Sequence, residues 1–184
     1  AAGSVREATP QAIANLVWAL ATLQIHEQGF LHAVSRLVAT DIEAFKPQEW
    51  CNIGWAFASL GVHDAVLMET LAFAAKGSSG KNGGCNNPQD IANLAWTFAT
   101  LAAADLELMQ LLSTQAIPQL TAFEEQHLSN TAWSFATLAA QDRALFSGIA
   151  RTILHGRLLT GFKSQSLSNL AWAFATTVDG TERF

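Results

Sequence analysis

The segment QDIANLAWTFATL, Gln89 to Leu101, decides the fold, because four near-copies of it stand elsewhere in the same chain. They are QAIANLVWALATL from Gln11, QEWCNIGWAFASL from Gln48, QHLSNTAWSFATL from Gln126 and QSLSNLAWAFATT from Gln165, with successive starts 37, 41, 37 and 39 residues apart. Each copy has Gln, then Asn four residues on (Asn15, Asn52, Asn93, Asn130, Asn169), then Trp three further (Trp18, Trp55, Trp96, Trp133, Trp172). A Leu or Phe, an Ala and a Thr or Ser follow. Five of the six tryptophans share one repeat position, and the sixth, Trp50, replaces the Ile or Leu of the other copies. Self-similarity at this period is the mark of a repeat architecture, in which each unit covers its apolar face with its neighbours.

Working outward, each copy opens like a helix. Pro10, Pro47 and Pro88 occupy the first helical position, where a missing N–H costs nothing, and Thr9 and Asn87 suit the N-cap. Phe45 with Trp50, Phe123 with Leu128 and Phe162 with Leu167 have the spacing of a hydrophobic staple. Between the copies lie further apolar segments of helical period, around 30–40, 65–76, 106–117 and 144–159. The spacing thus predicts an all-α chain, a right-handed α-solenoid of helix pairs of roughly 38 residues. It is a single array over 1–184, with motif helices at about 10–23, 47–60, 88–101, 125–138 and 164–177. The run GSSGKNGG predicts a flexible loop over 77–87. Neither end shows a polar capping repeat, so a fragment of a longer protein is expected.

Composition narrows the function classes. Half of the 184 residues are apolar, yet no stretch reaches the ~20 uninterrupted apolar residues of a membrane span. Fifteen acidic against ten basic residues give a net charge of -5, the wrong sign for a ligand-binding surface driven by phosphate attraction. Two cysteines, Cys51 and Cys85, make no disulfide framework, and a reducing compartment is expected. The five histidines share no repeat position and form no HExxH pattern, while GSSGKNGG with Lys81 lacks P-loop spacing. No catalytic residue, metal site, cofactor or small-molecule substrate is therefore expected, and the chain reads as a binding scaffold, not an enzyme.

On a helical wheel the motif separates four sectors. Residues two before the Asn and one, five and eight after it are mostly large and apolar, a core stripe. Small residues, among them Ala14, Cys51, Ala92, Ser129, Ser168 and the Ala six after each Asn, allow close helix approach. Gln, Asn, Trp and Thr/Ser share a third arc: either Asn and Gln bond to backbone groups of the adjoining repeat while Trp fills the groove, or the amides face a groove and contact ligand. Structure is the reading for Trp and Asn, because identical side chains in every copy hold geometry. The fourth sector, three before and four after the Asn, varies: Ala12 with Ala19, Glu49 with Ala56, Asp90 with Thr97, His127 with Ser134, Ser166 with Ala173. Variable positions on a repeated surface are where a ligand can be distinguished, or simply solvent-exposed sites free to drift.

The element NLxWAFATL, as in NLAWTFATL at Asn93 to Leu101 and NLAWAFATT at Asn169 to Thr177, resembles the octotricopeptide repeat family, and with it the repeats accompanying RAP domains and FAST-kinase-like proteins. The resemblance spans about Thr9 to Thr177. It implies an organellar protein of chloroplast or mitochondrion that binds single-stranded RNA and supports transcript stability, processing or translation. Carried onto this chain, it implies base contacts from Glu49, Asp90, Thr97, His127 and Ser134 with Asn15, Asn52, Asn93, Asn130 and Asn169 beside them, roughly one nucleotide per repeat. The alternative is a protein-protein scaffold using a concave surface, which a net negative charge suits. Basic side chains gathered beside the variable positions would favour RNA; scattered ones would favour protein partners.

Overall fold

The structure, a computed structural model, describes residues 8–77, 84–155 and 161–179, with 178 and 179 by backbone alone. Among the described residues there is no strand. The α-helices are α1 (Pro10–Thr22), α2 (Gln28–Thr40), α3 (Pro47–Ser59), α4 (Ala65–Lys76), α5 (Pro88–Thr100), α6 (Leu106–Ala116), α7 (Glu125–Thr137), α8 (Arg143–His155) and α9 (Ser164–Asp179). Short 3-10 turns follow α2 (Ile42–Ala44) and α6 (Ile117–Ala122). Every copy of the motif lies on an odd-numbered helix. Most of the glycine-rich loop expected at 77–87, positions 78–83 with Lys81, and Arg157 lie outside the described residues.

Local chemistry starts the helices. The Thr9 hydroxyl accepts from the Ala12 N–H (3.3 Å) and the Asn87 side chain from the Asp90 N–H (2.9 Å), each satisfying a donor that the first turn leaves over. Three of the four intervening helices, α4, α6 and α8, use a device that the motif alignment does not reveal. Asp64, Asp105 and Asp142, each twelve residues after a motif Asn, accept from the N–H of Leu67, Leu108 and Leu145 at 2.9 Å. Carboxylates there also meet the positive end of the helix dipole.

The first four motif helices stop in the same way. Gln24, Gly61, Ala102 and Ala139 take positive φ of 56°, 64°, 50° and 51°. The next residue's N–H then bonds back five residues, Ile25 to Leu20, Val62 to Phe57, Ala103 to Phe98 and Ala140 to Phe135, all at 2.9 Å. This is the Schellman closure, which satisfies carbonyls at the helix end. Only Gly61 is the residue type for which positive φ is free of cost; the other three hold it with a Cβ present.

Two compact units divide the chain, residues 1–85 and 86–184. In the first, α1 packs along α3, α2 along α4, and α3 against α4. Its core includes Ile13, Val17, Leu31, Val34, Phe45, Trp50, Ile53 and Phe57, all buried. In the second, α7 packs along both α5 and α9, while the 3-10 turn Ile117–Ala122 lies against α6 and α8. The approach at that turn is close: a Cβ on Gly148 of α8 would stand 2.5 Å from a Leu120 methyl. Staple residues Phe45, Phe123 and Phe162 are buried beside the starts of α3, α7 and α9.

Candidate nucleic-acid interface

Within the second unit α7 has neighbours on both flanks, α5 and α9, which leaves little of it in contact with solvent. At ~100° per residue, Trp, Gln, Thr/Ser and Asn fall within an arc of about 60°, and that arc is the exposed one. Gln11, Gln48, Gln89, Gln126 and Gln165 are all exposed, as are Thr22, Thr100, Thr137 and Thr176. Asn15 is exposed, and Asn52, Asn93, Asn130 and Asn169 are half-buried. Trp18 keeps 49% of its surface and Trp172 46%, with Trp55, Trp96 and Trp133 half-buried. The side chains of this stripe reach the surface in both units, and Asn52, Asn93, Asn130 and Asn169 with Trp55, Trp96 and Trp133 are also partly enclosed by packing.

In the first unit the rings of Trp18 and Trp55 stack, centroids 6.5 Å apart and planes 28° from parallel. The Thr22 and Thr176 hydroxyls donate to the carbonyls of Trp18 and Trp172 four residues back, at 2.9 and 2.8 Å, so their donors are already used within the helix. Indole faces and primary amides are therefore the chemistry this surface offers: π-stacking, and paired donors and acceptors that suit base edges or peptide groups.

The variable sector is not the exposed one, contrary to the wheel reading. Position +4 is buried in α3, α5, α7 and α9: Ala56, Thr97, Ser134 and Ala173 lose essentially all contact with solvent. The Thr97 hydroxyl donates to the Asn93 carbonyl (2.8 Å) and that of Ser134 to the Asn130 carbonyl (2.6 Å), the usual fate of a hydroxyl in a helix flank with no other acceptor. As packed, neither can touch a base. Only on α1 is +4 partly open, at Ala19.

Positions three before the Asn are the third residues of their helices, and their side chains turn back on the helix start. Glu49 accepts from the Lys46 N–H at 2.8 Å, and His127 Nδ1 accepts from the Glu124 N–H at 3.2 Å. The Asp90 carboxylate accepts a short hydrogen bond from the Asn87 amide, while its Oδ1 is buried without a partner. Burial raises Asp90 from 3.8 to about 6, partly offset by the Asn87 bond. Burial likewise lowers His127, against the opposing pull of Glu124, and its ring meets Phe123 edge-on, centroids 6.2 Å apart. The capping signal was present in the sequence as a polar residue three after the N-cap. Glu49 and His127 keep partial exposure; Asp90 is 2% exposed.

Cations do not lie in the stripe. Of those described, Arg36, Lys76, Arg143 and Arg151 stand on the intervening helices, and Lys46 and Lys163 immediately precede α3 and α9. Among the described residues no three His, Cys, Asp or Glu side chains come together as metal ligands, and no helix is long and apolar enough to cross a membrane.

No curated protein matches the chain. A family model does, over residues 2–157: that of the RNA-editing substrate-binding complex 6 protein. The resemblance to octotricopeptide, RAP-associated and FAST-kinase-like repeats is corrected by this match. Small residues at fixed places are what side-by-side helix packing asks of any such repeat, so they identify an architecture and leave the family open. Since the match runs over most of the 184 residues, the chain belongs to the RNA-editing substrate-binding complex 6 protein family.

Proposed function

We propose that this protein is an RNA-binding subunit of a mitochondrial RNA-editing substrate-binding complex, and that single-stranded RNA lies on the Gln/Asn/Trp stripe of its motif helices. The observation that carries the reading is the recurrence of one exposed set of side chains on α1, α3, α5, α7 and α9. Identical side chains in every copy suit a ligand whose units are alike from one to the next. Every nucleobase offers a π-face to an indole, so stacking tolerates sequence. Asn15, Asn52, Asn93, Asn130 and Asn169, with the glutamines, supply hydrogen bonds to base edges. Glu49 and His127 border the stripe; Asp90, Thr97 and Ser134 act from beneath it, by fixing helix ends and flanks. The family's name supports an RNA-related role.

The finer fold reading belongs to the same proposal. A right-handed α-solenoid forming one array is supported by motif helices that pack side by side within each unit. In this reading the chain acts by binding, without catalysis of its own, through the indoles and primary amides of the stripe.

A protein-protein role on the same surface is the second reading, and the placing of the cations favours it: none of the described ones lies within the stripe. The two are separated by fluorescence anisotropy with a labelled uridine 20-mer at ~50 mM salt, where electrostatic help is greatest. Trp18→Ala and Trp172→Ala are expected to weaken binding roughly 5- to 150-fold each, the ~1–3 kcal/mol of a base–aromatic stack. Phe73→Ala, at a 74%-exposed aromatic on α4, leaves it unchanged. Equal affinity in all three variants, with folding intact, sinks the RNA reading.

A further inference from the structure

The chain's two cysteines stand together although 34 residues separate them. Cys51 is on α3, at the small-residue position filled by Ala14 in α1 and Ala92 in α5, so packing there does not require a thiol. Cys85 is in the irregular segment between α4 and α5. Both are fully buried, and their sulfurs are 3.2 Å apart. A disulfide bond is ~2.05 Å long, so closure needs a movement of only about 1.1 Å. One partner is held on a packed helix and the other on a short non-helical stretch next to Gly84, where backbone adjustment is easiest.

We propose that Cys51 and Cys85 form a redox modification site, a dithiol that a peroxide converts into an intramolecular disulfide linking Cys85 to α3. One sulfur, as thiolate, attacks a peroxide oxygen; the O–O bond breaks, and the released hydroxide takes up a proton as water. The resulting sulfenic acid is attacked by the second sulfur, the S–S bond forms, and hydroxide leaves and is protonated by the proton that the second thiol gives up. In sum, two thiols and one hydrogen peroxide give one disulfide and two waters. Burial of both sulfurs makes the reaction depend on local opening of the segment around Cys85, and it shields the product from larger thiols. This site stands apart from the RNA reading, since neither sulfur lies on the exposed stripe.

The test is peroxide treatment of the reduced, purified full chain, followed by alkylation under denaturing conditions and intact-mass measurement. Loss of two hydrogens with no alkylation is expected, together with a non-reducing digest that joins the Cys51 peptide to the Cys85 peptide, and recovery of both thiols on reduction. Cys51→Ala, which copies the residue of the neighbouring motifs, and Cys85→Ser should each abolish the cross-link. Two alkylated thiols after treatment, sulfinic or sulfonic acid without a cross-link, or dimers linked between chains would each overturn the proposal.

Discussion

Replacing Asp90 by Asn tests whether the variable position of α5 is inside the protein or on its surface. Asp90 is 2% exposed, and burial raises its carboxyl from 3.8 to about 6. Between those values the folded chain holds a proton that the unfolded chain has released, so stability falls as pH rises through the window. The contribution is fully present below the unfolded value and is lost as pH passes 6. A shift of about two units corresponds to a penalty of at most ~3 kcal/mol at neutral pH. Linkage puts roughly 1.4 kcal/mol of the change between pH 5 and 7.5. Urea unfolding of wild type and Asp90→Asn at both pH values isolates this, because all other titrating groups cancel in the comparison. The wild type should lose about 1–1.5 kcal/mol more than the variant on going from pH 5 to 7.5. Parallel pH dependences would refute the reasoning: Asp90 would then titrate as a surface carboxylate, available to ligand as the wheel reading had it.

Ala102 and Ala139 are exposed and hold positive φ, so changing either to Gly removes left-handed strain and should add about 0.5–1 kcal/mol to unfolding stability after the entropy cost of Gly; a loss of stability in a chemical melt would disprove the assigned turn. Ser134→Ala substitutes the residue that the chain itself has at Ala56 and Ala173, and Ser134 bonds only within its own helix. RNA affinity in the anisotropy assay should stay within about twofold, with stability changed by less than ~1 kcal/mol; a tenfold loss would put its hydroxyl back among the ligand contacts.

How much was legible can be traced residue by residue. The Pro at Pro10, Pro47 and Pro88 and the Asn–Trp spacing mark the motif helices, because helix starts and periodicity are local properties of the chain. Asp64, Asp105 and Asp142 were equally local cap signals, but they lie outside the aligned motif and are seen only when the helices that they open are known. The turns at Ala102 and Ala139 were not legible, since an Ala in the left-handed region is there against its own preference and only the surrounding hydrogen bonds keep it so. Family membership likewise came from comparison over 2–157 and could not be read from the motif.

What the sequence determined by itself is therefore the helices and their period: these follow from contacts between residues a few positions apart. Which arc of a motif helix meets solvent was decided by tertiary packing, because that depends on how many neighbours flank the helix. A wheel assumes one buried side. With α5 and α9 along its two flanks, α7 keeps Ser134 enclosed, while its Gln126, Asn130 and Trp133 retain contact with solvent. The meeting of Cys51 with Cys85 is of the same kind, a contact between residues 34 apart that no local pattern specifies.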